Sequence, residues 1–528
     1  MRNTAGGGGE RVLWTAIQAI QEKRKNTIIV LYTAFSNGED KNTMLKQVEE
    51  KFGLVPNPKS IHVEKLERLG YVNREYSRMR LLFQSIGSIL LCVEAMIKFV
   101  PDIYIDTLGY AFTYPFVKIF CKIPVVSYTH YPTISSDMRQ AVASRESGVC
   151  NDEVINKSSI LSAAKRMYYT IIFWAYSFAG SSADVVMANS TWTYNHIRKT
   201  FVGCEFINVV YPPCDTDGLV KFNLKGKING SGKVIPRERK IISLAQFRPE
   251  KNQSLQIESF AKFLENCPEF KISKENENQK ENDSSVKLII MGGARNSADM
   301  ERVEKLKLLS KQLDVSDQVE FIVNASYPEI CDQLQTAICG LHTMKDEHFG
   351  INIVEFMASG AIPIAHKSAG PMMDIVVPYI SPTPELKSAG VNQHEKDDES
   401  SGIRGGINST TEDLTFLNGN FVGNLKKVNS ELLTLQLEEA RKSHIRESKL
   451  DKSGHNESGK SSDLAKAFPV GFLAITSSEF ANAFECVFKL DSNVLNNMQI
   501  AGRNRAVNTF SSENFKEEFL KSLDQIHF

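Results

Sequence analysis

The chain has 528 residues, more than one hydrophobic core usually organises, so we expect two domains with insertions. Lysine plus arginine and aspartate plus glutamate both number 62, which leaves no global field to attract nucleic acid, and we expect no such partner. The nine cysteines are scattered and form no CxxC pair, which indicates a reducing compartment and argues against a disulfide scaffold or a zinc site.

The first element in chain order is a glycine-rich run, Gly6 to Gly9, followed by an amphipathic helix from Val12 to Gln21. Glycines let a ligand approach the backbone, and a helix N-terminus favours negative charge, so Gly7, Gly8 and Gly9 predict a phosphate site. A flexible tail is the alternative. A nucleotide-binding loop normally follows a strand, and only about five residues precede this one, so we expect the first strand to be missing.

Short apolar runs alternate with helical patterns through the first half of the chain, and the alternation starts again after Lys240. The runs predicted as buried strands are Thr27–Thr33, Ile103–Thr107, Pro124–Tyr128, Val185–Asn189, Asn208–Tyr211, Ile241–Ala245, Lys287–Met291, Val319–Val323, Ile338–His342 and Ile362–His366. This alternation predicts βαβ units and parallel sheets, that is, an α/β fold with two domains.

Composition gives the expected boundaries of these domains. We predict an N-terminal domain over residues 1–230, a C-terminal domain over residues 238–380 and 466–510, and a terminal helix over residues 511–528. Residues 381–465 contain no Trp, Tyr, Cys or Met and are rich in Ser, Lys, Glu, Asp and Gly. Such a segment cannot bury enough surface to fold by itself, so we predict a disordered polar insertion.

Two helical segments, Leu81–Val100 and Tyr168–Gly180, are unusually apolar. No stretch reaches 18 uninterrupted apolar residues, so we predict no transmembrane span. Buried core helices are the interpretation that we favour. The other interpretation is a pair of helices that each place one face in a bilayer, with Tyr and Trp at the interface.

His130 follows the predicted strand Pro124–Tyr128 in the sequence SYTHYP. Ligands of open α/β sheets bind at the carboxyl ends of strands, so His130 is a candidate to exchange a proton or to hydrogen-bond a sugar hydroxyl. A core histidine with satisfied hydrogen bonds is the alternative.

Two further strand ends carry candidate ligand-binding residues. Arg248 and Lys251 lie three apart on a turn after Ile241–Ala245, where both could point at one diphosphate; the alternative is a solvated charged turn. Gly292 ends the run Lys287–Met291 and would shape the wall of a nucleotide pocket, although a plain tight turn explains it nearly as well.

Residues 343–378 give the strongest functional pattern. Glu347 and Glu355 flank a turn with Phe349 and Gly350, and a helical run begins at Ile351. A glycine turn before a helix predicts an opening for phosphate at the helix N-terminus, and the two carboxylates could hold sugar hydroxyls. An ordinary amphipathic helix explains Glu355 but not the glycine turn before it.

The spacing E-x7-E resembles the signature of retaining GT-B glycosyltransferases of family 4. The segments GGGGERVLW, YTHYPTIS, SADVVMANSTWT, QFRPEKNQSLQI and HFGINIVEFMASG resemble the α-1,2-mannosyltransferases of asparagine-linked glycosylation, and the likeness covers almost everything outside residues 271–285 and 381–465. The resemblance implies two Rossmann-like domains that face each other across a cleft. It also implies retaining transfer of mannose from GDP-mannose to Man3GlcNAc2 and Man4GlcNAc2 on dolichol diphosphate. The implied location is the cytosolic face of the endoplasmic reticulum membrane.

The resemblance also implies roles and partners. His130 and Glu347 would be catalytic, and the nucleotide sugar would contact Gly7, Gly8, Gly9, Arg248, Lys251, Gly292, Phe349, Gly350, Ile351 and Glu355. No cofactor or metal is implied. The implied partners are GDP-mannose, the dolichol-diphosphate oligosaccharide, a membrane surface and other mannosyltransferases of the pathway. The family usually has an N-terminal membrane anchor, which we do not expect here. The alternatives are a GT-B transferase with another donor, a sugar-nucleotide epimerase and an inactive scaffold subunit of a glycosylation complex.

Overall fold

The computed structural model describes residues 7–33, 41–73, 79–132, 159–272, 284–380 and 467–526. The predicted polar insertion at residues 381–465 lies outside these ranges, as does most of 271–285. The chain divides into two compact units, one made of residues 1–213 and 512–528 and the other of residues 214–511. Cys214 begins the second unit and donates its backbone N–H to the carbonyl of Phe510 in the same unit, at 3.1 Å, so residues 214–230 belong to the second unit and not to the predicted N-terminal domain.

The strands are two to seven residues long. They are β1 Ile29–Thr33, β2 Ile61–Lys65, β3 Tyr104–Asp106, β4 Val125–Thr129, β5 Val185–Ala188, β6 Phe206–Val209, β7 Gly226–Ile228, β8 Val234–Pro236, β9 Glu238–Leu244, β10 Lys287–Gly292, β11 Val319–Val323, β12 Ala337–His342, β13 Ile362–His366, β14 Tyr379–Ile380, β15 Ala467–Phe468 and β16 Phe472–Ala474. Each run predicted as a strand overlaps one of these elements.

The helices connect and cover the strands. They are α1 Gly8–Lys23, α2 Lys41–Phe52, α3 Gly70–Asn73, α4 Arg80–Lys98, α5 Tyr114–Phe116, α6 Ser159–Gly180, α7 Thr191–Thr200, α8 Thr216–Leu219, α9 Gln253–Asn266, α10 Ser297–Gln312, α11 Tyr327–Thr336, α12 Ile351–Ser359, α13 Ser477–Lys489, α14 Ser492–Phe510 and α15 Ser512–Leu523. Short helical turns also occur, among them Ala111–Thr113 and Pro249–Lys251.

The first unit contains a four-stranded parallel sheet, β3-β4-β5-β6, and a separate parallel pair, β1-β2. Alternate residues of the four-stranded sheet face opposite helical layers. Val125 packs in a cluster with residues of α4 and α6, whereas Val126 packs with residues of α1 and the terminal helix α15. The sheet is therefore buried on both faces, as in a doubly wound fold.

The second unit contains a six-stranded parallel sheet in the order β11-β10-β9-β12-β13-β16. Its core joins Ile241 of β9 and Leu288 of β10 to Phe260 and Phe263 of α9 and Phe484 of α13. β9 lies at the centre, with β10 and β11 on one side and β12, β13 and β16 on the other. The strand order therefore reverses between β9 and β12.

The apolar helices α4 and α6 have one face in the core, as predicted for core helices, and one exposed apolar face, as predicted for helices that contact a bilayer. They are neighbours, since Leu82 donates its backbone N–H to the Tyr168 hydroxyl at 3.2 Å, and both bury one face against the same core cluster. Their other faces expose an apolar stripe, which we call the outer stripe: Phe83, Ile86, Leu90 and Ile97 of α4, and Met167, Ile171, Trp174 and Phe178 of α6. Within the described ranges, Arg80–Lys98 alone is long and apolar enough to cross a membrane by length and composition, and 33% of its most apolar window is buried.

Candidate functional site

The candidate site of the second unit lies at the carboxyl ends of β9 and β12. These two strands pair in parallel, so the segments that follow them meet at one edge of the sheet. The strand order reverses between them, and in open α/β sheets ligands bind in the crevice outside such a switch point. Arg248 and Lys251 follow β9, and the turn with Glu347 follows β12.

Lys251 and Glu347 form the closest contact of the site. Lys251 Nζ lies 2.6 Å from Glu347 Oε2 and 3.1 Å from Met344 Sδ. The side chains are 23% and 14% exposed, so the pair is mostly shielded but reachable from solvent. A hydroxyl bridge fixes the two loops, because Thr343 Oγ1 donates to the backbone carbonyls of Lys251 and Asn252, both at 3.0 Å.

Glu347 is held in its charged form. His342 Nε2 lies 3.3 Å from Glu347 Oε2, close enough for an electrostatic contact although it is not aligned as a hydrogen bond. Burial alone would raise the pKa of Glu347, but its contacts with His342 and Lys251 outweigh burial and hold that pKa well below its usual value. The site therefore presents a carboxylate that accepts hydrogen bonds at neutral pH.

His342 is a site residue that the sequence did not single out. It is the last residue of β12 and only 3% exposed. Asn352 Nδ2 lies 2.9 Å from His342 Nδ1 and donates to the backbone carbonyl of Leu244, also at 2.9 Å. Asn352 thereby ties the end of β12 to the end of β9. A histidine at the carboxyl end of a strand is the same signal that identified His130.

The N-terminus of α12 opens at the same edge. Gly350 precedes the helix with φ 105°, a conformation that favours glycine, and a Cβ added there would lie 2.8 Å from Ile353 Cδ1. Gly350 has no side chain with which to cap this end, so the backbone N–H groups of the first turn, beginning at Ile351, are suited to an anion. Phe349 is 3% exposed and packs edge-on against Phe510, so its ring is part of the core.

The loop that follows β13 holds the turn before α12 in place by hydrogen bonds. Gly370 donates its backbone N–H to the Glu347 carbonyl at 3.0 Å, and a Cβ at Gly370 would come within 2.4 Å of the His348 carbonyl oxygen. Ser368 Oγ accepts from the Asp346 N–H at 2.7 Å. The loop Ser368 to Gly370 therefore fixes the path of the chain through Glu347.

The C-terminus of α12 is anchored by two buried guanidinium groups. Arg503 donates to the carbonyls of Ala358 and Ser359 at 2.9 and 3.2 Å, and Arg237 also donates to Ser359. Burial and the neighbouring Arg503 lower the pKa of Arg237 to about 9, so it stays charged at neutral pH. Cations at the negative end of the helix stabilise its dipole, while the open end faces the site.

Three predicted site residues of this unit lie apart from the contact between Lys251 and Glu347. Arg248 pairs with Glu250 at 3.6 Å and is 40% exposed. Glu355 lies on α12 on the side of Cys331. Burial raises the pKa of the Cys331 thiol, and the charge of Glu355 adds to this effect. Gly292 ends β10, where a Cβ would meet the Ala245 carbonyl oxygen at 1.8 Å, so the close approach of the two strand ends requires glycine.

In the first unit, the start of α1 lies against His130. A Cβ added at Gly9 would lie 3.3 Å from His130 Nε2, a buried atom without a hydrogen-bond partner among the described residues. Burial lowers the pKa of His130 to about 4, although a hydrogen bond with the Thr107 backbone acts in the opposite direction. α1 follows Gly7 without a side-chain cap, and Gly8 is its first residue. The structure thus combines a neutral imidazole with an open helix N-terminus.

The described residues contain no group of three or more His, Cys, Asp or Glu side chains placed to hold a metal ion. Lys251 supplies a positive charge to the site, and the backbone amides at the start of α12 supply partial positive charge.

Two family models match the chain. The model of the ALG11 mannosyltransferase N-terminus matches residues 2–201, and the model of glycosyl transferases group 1 matches residues 227–399. Curated proteins named GDP-Man:Man(3)GlcNAc(2)-PP-Dol alpha-1,2-mannosyltransferase are similar over most of their length. The Mus musculus protein is 42% identical over 375 residues, which is 71% of this chain and 73% of that protein. The Xenopus tropicalis protein is 44% identical over 71% of this chain and 73% of that protein.

Solved structures extend the likeness at the level of fold. Anabaena Alr3699/HepE with UDP aligns with a TM-score of 0.52 and 14% identity, over 99% of this chain and 97% of that one. Sucrose-phosphate synthase from Thermosynechococcus elongatus aligns with a TM-score of 0.54 and 12% identity, over 97% of this chain and 91% of that one. The GT-B class of α/β fold, with two Rossmann-like domains, is confirmed.

Proposed function

Because the chain belongs to the family of the GDP-Man:Man(3)GlcNAc(2)-PP-Dol alpha-1,2-mannosyltransferases, we propose that it transfers mannose from GDP-mannose to this acceptor. It is a glycosyltransferase, and the transfer makes an α-1,2 linkage to dolichol-diphosphate-linked Man3GlcNAc2, then to Man4GlcNAc2, with retention at the anomeric carbon. The observation that carries the proposal is the contact of Lys251 with Glu347 beside the open N-terminus of α12. This arrangement supplies positive groups for a diphosphate and a carboxylate for a sugar.

The diphosphate of the donor binds at the start of α12. The backbone amides after Gly350 donate to its oxygens, and the helix dipole favours its negative charge. An ammonium group has three donors, so Lys251 can keep one bond to Glu347 and give another to a phosphate oxygen. Arg248 lies on the same turn, and its exposed side chain can leave Glu250 for the diphosphate. These groups neutralise the departing GDP, so we propose that transfer needs no metal.

Glu347 accepts hydrogen bonds from mannose hydroxyls and fixes the anomeric carbon, while Glu355 is assigned to the ribose. In the reaction the bond from the anomeric carbon to the diphosphate breaks, and the acceptor hydroxyl forms the new bond on the same face of the sugar. Its proton passes to the departing phosphate oxygen, and GDP is released. Neutral His130 hydrogen-bonds the transferred sugar, and the backbone from Gly7 to Gly9 contacts the substrates.

The direct test is transfer from GDP-mannose to a trimannosyl lipid-diphosphate acceptor, followed by linkage analysis of the product. The variant Glu347→Gln keeps the shape of the side chain and removes its charge, so transfer should fall by about 100-fold or more. Glu304→Gln is the control, because Glu304 pairs with Lys307 on the surface of α10. Product from UDP-glucose and none from GDP-mannose would contradict the donor assignment, and full activity of Glu347→Gln would contradict its role.

We also propose that the outer stripe of α4 and α6 rests on the membrane that holds the lipid acceptor. Ile97, Trp174 and Phe178 are 80%, 64% and 70% exposed, which is unusual for side chains of this size. Neighbouring helices with aromatic and aliphatic side chains on one outer face are suited to the interface of a bilayer. Every cysteine that the structure describes is a free thiol, which supports the cytosolic side of the endoplasmic reticulum membrane.

Vesicle flotation tests this contact. The wild type should float with vesicles of neutral phospholipid. The double variant Trp174→Glu and Phe178→Glu should not bind these vesicles and should stay at the bottom of the gradient. Val202→Glu is the matched control, since Val202 is 79% exposed and lies outside the outer stripe. Equal flotation of the double variant and the wild type would contradict the assignment.

A further inference from the structure

Two neighbouring strand ends of the first unit carry Asp106 and His130. β3 ends at Asp106, β4 ends at Thr129 immediately before His130, and the two strands pair in parallel. Because parallel strands end at the same edge of a sheet, the segments that follow β3 and β4 lie next to each other. The proposed reaction uses His130 but gives no role to Asp106, a carboxylate that is only 4% exposed. A carboxylate that is so deeply buried needs partners, and these partners indicate what it does.

Asp106 binds the turn that follows β3. Its Oδ1 accepts the backbone N–H of Leu108 at 2.8 Å, and its Oδ2 accepts the backbone N–H of Tyr110 at 2.7 Å. The Tyr114 hydroxyl lies 2.7 Å from the same Oδ2. Burial raises the pKa of Asp106, whereas these hydrogen bonds act in the opposite direction. The carboxylate thereby fixes the backbone of residues 107–110, as an aspartate does in a turn that it closes with its own side chain.

A buried chain of hydroxyl groups continues from Asp106 into β4. Tyr114 Oη lies 2.8 Å from Ser127 Oγ, which in turn lies 3.2 Å from Thr129 Oγ1. All of these side chains are almost completely buried. Asp106 is therefore connected both to the turn after β3 and to the last residue of β4, which precedes His130 in the chain.

The turn after β3 also determines which nitrogen of His130 carries the proton. The hydrogen bond with the Thr107 backbone favours the protonated imidazole, as a ring N–H that donates to a carbonyl does. Nε2 of His130 has no hydrogen-bond partner among the described residues, so the bond to Thr107 belongs to Nδ1. A neutral imidazole has a single N–H, which leaves a lone pair on Nε2. A Cβ added at Gly9 would lie 3.3 Å from this Nε2, so the acceptor atom lies against the start of α1.

We propose that Asp106 is a positioning residue, which fixes the Thr107 carbonyl and thereby holds His130 in the tautomer that presents an acceptor nitrogen to the substrate. The group that Nε2 recognises is a hydroxyl, because only a donor can pair with a lone pair. The opposite tautomer would leave a buried Nε2–H unpaired and would set the Nδ1 lone pair against the carbonyl oxygen, which is unfavourable. This role rests on the proposed transferase reaction, in which His130 hydrogen-bonds the transferred sugar.

The test compares Asp106→Asn with the wild type by nitrogen NMR of isotope-labelled histidine and by the transfer assay. The His130 signals are assigned with His130→Gln, and in the wild type the proton should reside on Nδ1 at neutral pH. Asparagine keeps the shape of the side chain but replaces one acceptor oxygen by a donor, so the turn loses a hydrogen bond. The Nε2–H form should then appear in the spectrum. The value of kcat should fall by about tenfold or more, while GDP affinity stays unchanged.

Tyr114→Phe is a milder second variant, because it removes one donor to Asp106 and leaves the ring in place. The Nε2–H form should appear here too, and kcat should fall by about threefold or more. Tyr104→Phe is the matched control, since the Tyr104 hydroxyl lies 3.4 Å from Thr113 Oγ1 and is not bonded to Asp106. Both measurements on this control should match the wild type.

A proton on Nε2 of His130 in the wild type would overturn the proposal. The wild-type tautomer in folded Tyr114→Phe and in folded Asp106→Asn would overturn it as well, and a lower thermal midpoint in these variants would then show that Asp106 only stabilises the fold. If Asp106→Asn does not fold, Tyr114→Phe decides the question alone. The spectra need no substrate, so a wild type that transfers no mannose but carries the proton on Nδ1 would contradict the proposed function and not the positioning of His130.

Discussion

Lys251 Nζ lies 2.6 Å from Glu347 Oε2, and this contact joins the segments that follow the two central strands of the second sheet. One partner suits a diphosphate and the other a sugar hydroxyl, so the contact brings two different functions within one hydrogen bond of each other. Replacing either partner should therefore affect binding and transfer in different ways.

Lys251→Met should weaken GDP binding by about tenfold or more, because one charge-assisted hydrogen bond to phosphate is lost. Glu347→Gln should change GDP affinity by no more than about threefold, since Glu347 is assigned to the sugar and its loss lowers the rate of transfer instead. Calorimetry with GDP and a transfer assay measure the two effects. Equal losses of GDP affinity in both variants would contradict this division.

His342→Gln should lower kcat by about 10-fold to 100-fold with unchanged GDP affinity, because the Glu347 carboxylate loses one of the side chains that contact it. The contact with His342 helps to lower the pKa of Glu347, so its removal should move the acid limb of the rate profile to higher pH. His62→Gln is the control, since His62 is 58% exposed on β2. An unchanged pH profile with reduced kcat would indicate a structural role only.

Gly9→Ala should reduce transfer by about tenfold without lowering the thermal midpoint. Alanine favours a helix over glycine by up to about 1 kcal/mol, but the added Cβ lies 3.3 Å from His130 Nε2 and crowds the imidazole. Gly70→Ala is the matched control, because a Cβ there meets no heavy atom within 4 Å. Wild-type transfer by Gly9→Ala would show that the space beside His130 is not used.

Because of His130, the free energy of unfolding should decrease as the pH falls. The pKa of His130 is lowered to about 4 in the folded chain from an ordinary value of 6.5, so the unfolded chain takes up a proton first. The contribution of neutral His130 is fully present above pH 6.5 and is lost as the pH falls towards 4. Between pH 7 and pH 5, wild type should lose of the order of 1 kcal/mol more than His130→Gln in urea unfolding. Equal losses would contradict the burial of the neutral imidazole.

The bounds of the strands were predicted best where the apolar run coincides with the whole strand. β13 has the predicted bounds, because a strand buried along its whole length reads as one apolar run. β11 also has the predicted bounds, although it is a partly exposed edge strand. β9 begins at Glu238, three residues before the predicted start at Ile241, since its first two residues are exposed and charged. The pair β7 and β8 was not predicted, because these residues resemble a linker in composition.

In the candidate site, the sequence predicted several of the residues but not the contacts between their side chains. The sequence placed Glu347 and Lys251 at strand ends, but only the fold shows that Thr343 holds their loops together. Arg248 and Lys251 looked equivalent on one turn, yet Arg248 pairs with the neighbouring Glu250. His342 was missed because a lone histidine in an apolar strand looks like core. These partners depend on loop geometry, which the spacing of residues does not encode.

The two guanidinium groups at the far end of α12 give the helix a second role. Nine residues make the helix about 13 Å long, so Arg237 and Arg503 are too far from its N-terminus to contact a donor bound there, and we expect them to matter only by holding the helix in place. An inherited change at either arginine would present as a loss of catalytic turnover in a protein whose substrate-facing side chains are all intact. In such a case, activity would be restored by a change that stabilises the C-terminal end of α12, and not by a change at its N-terminal end.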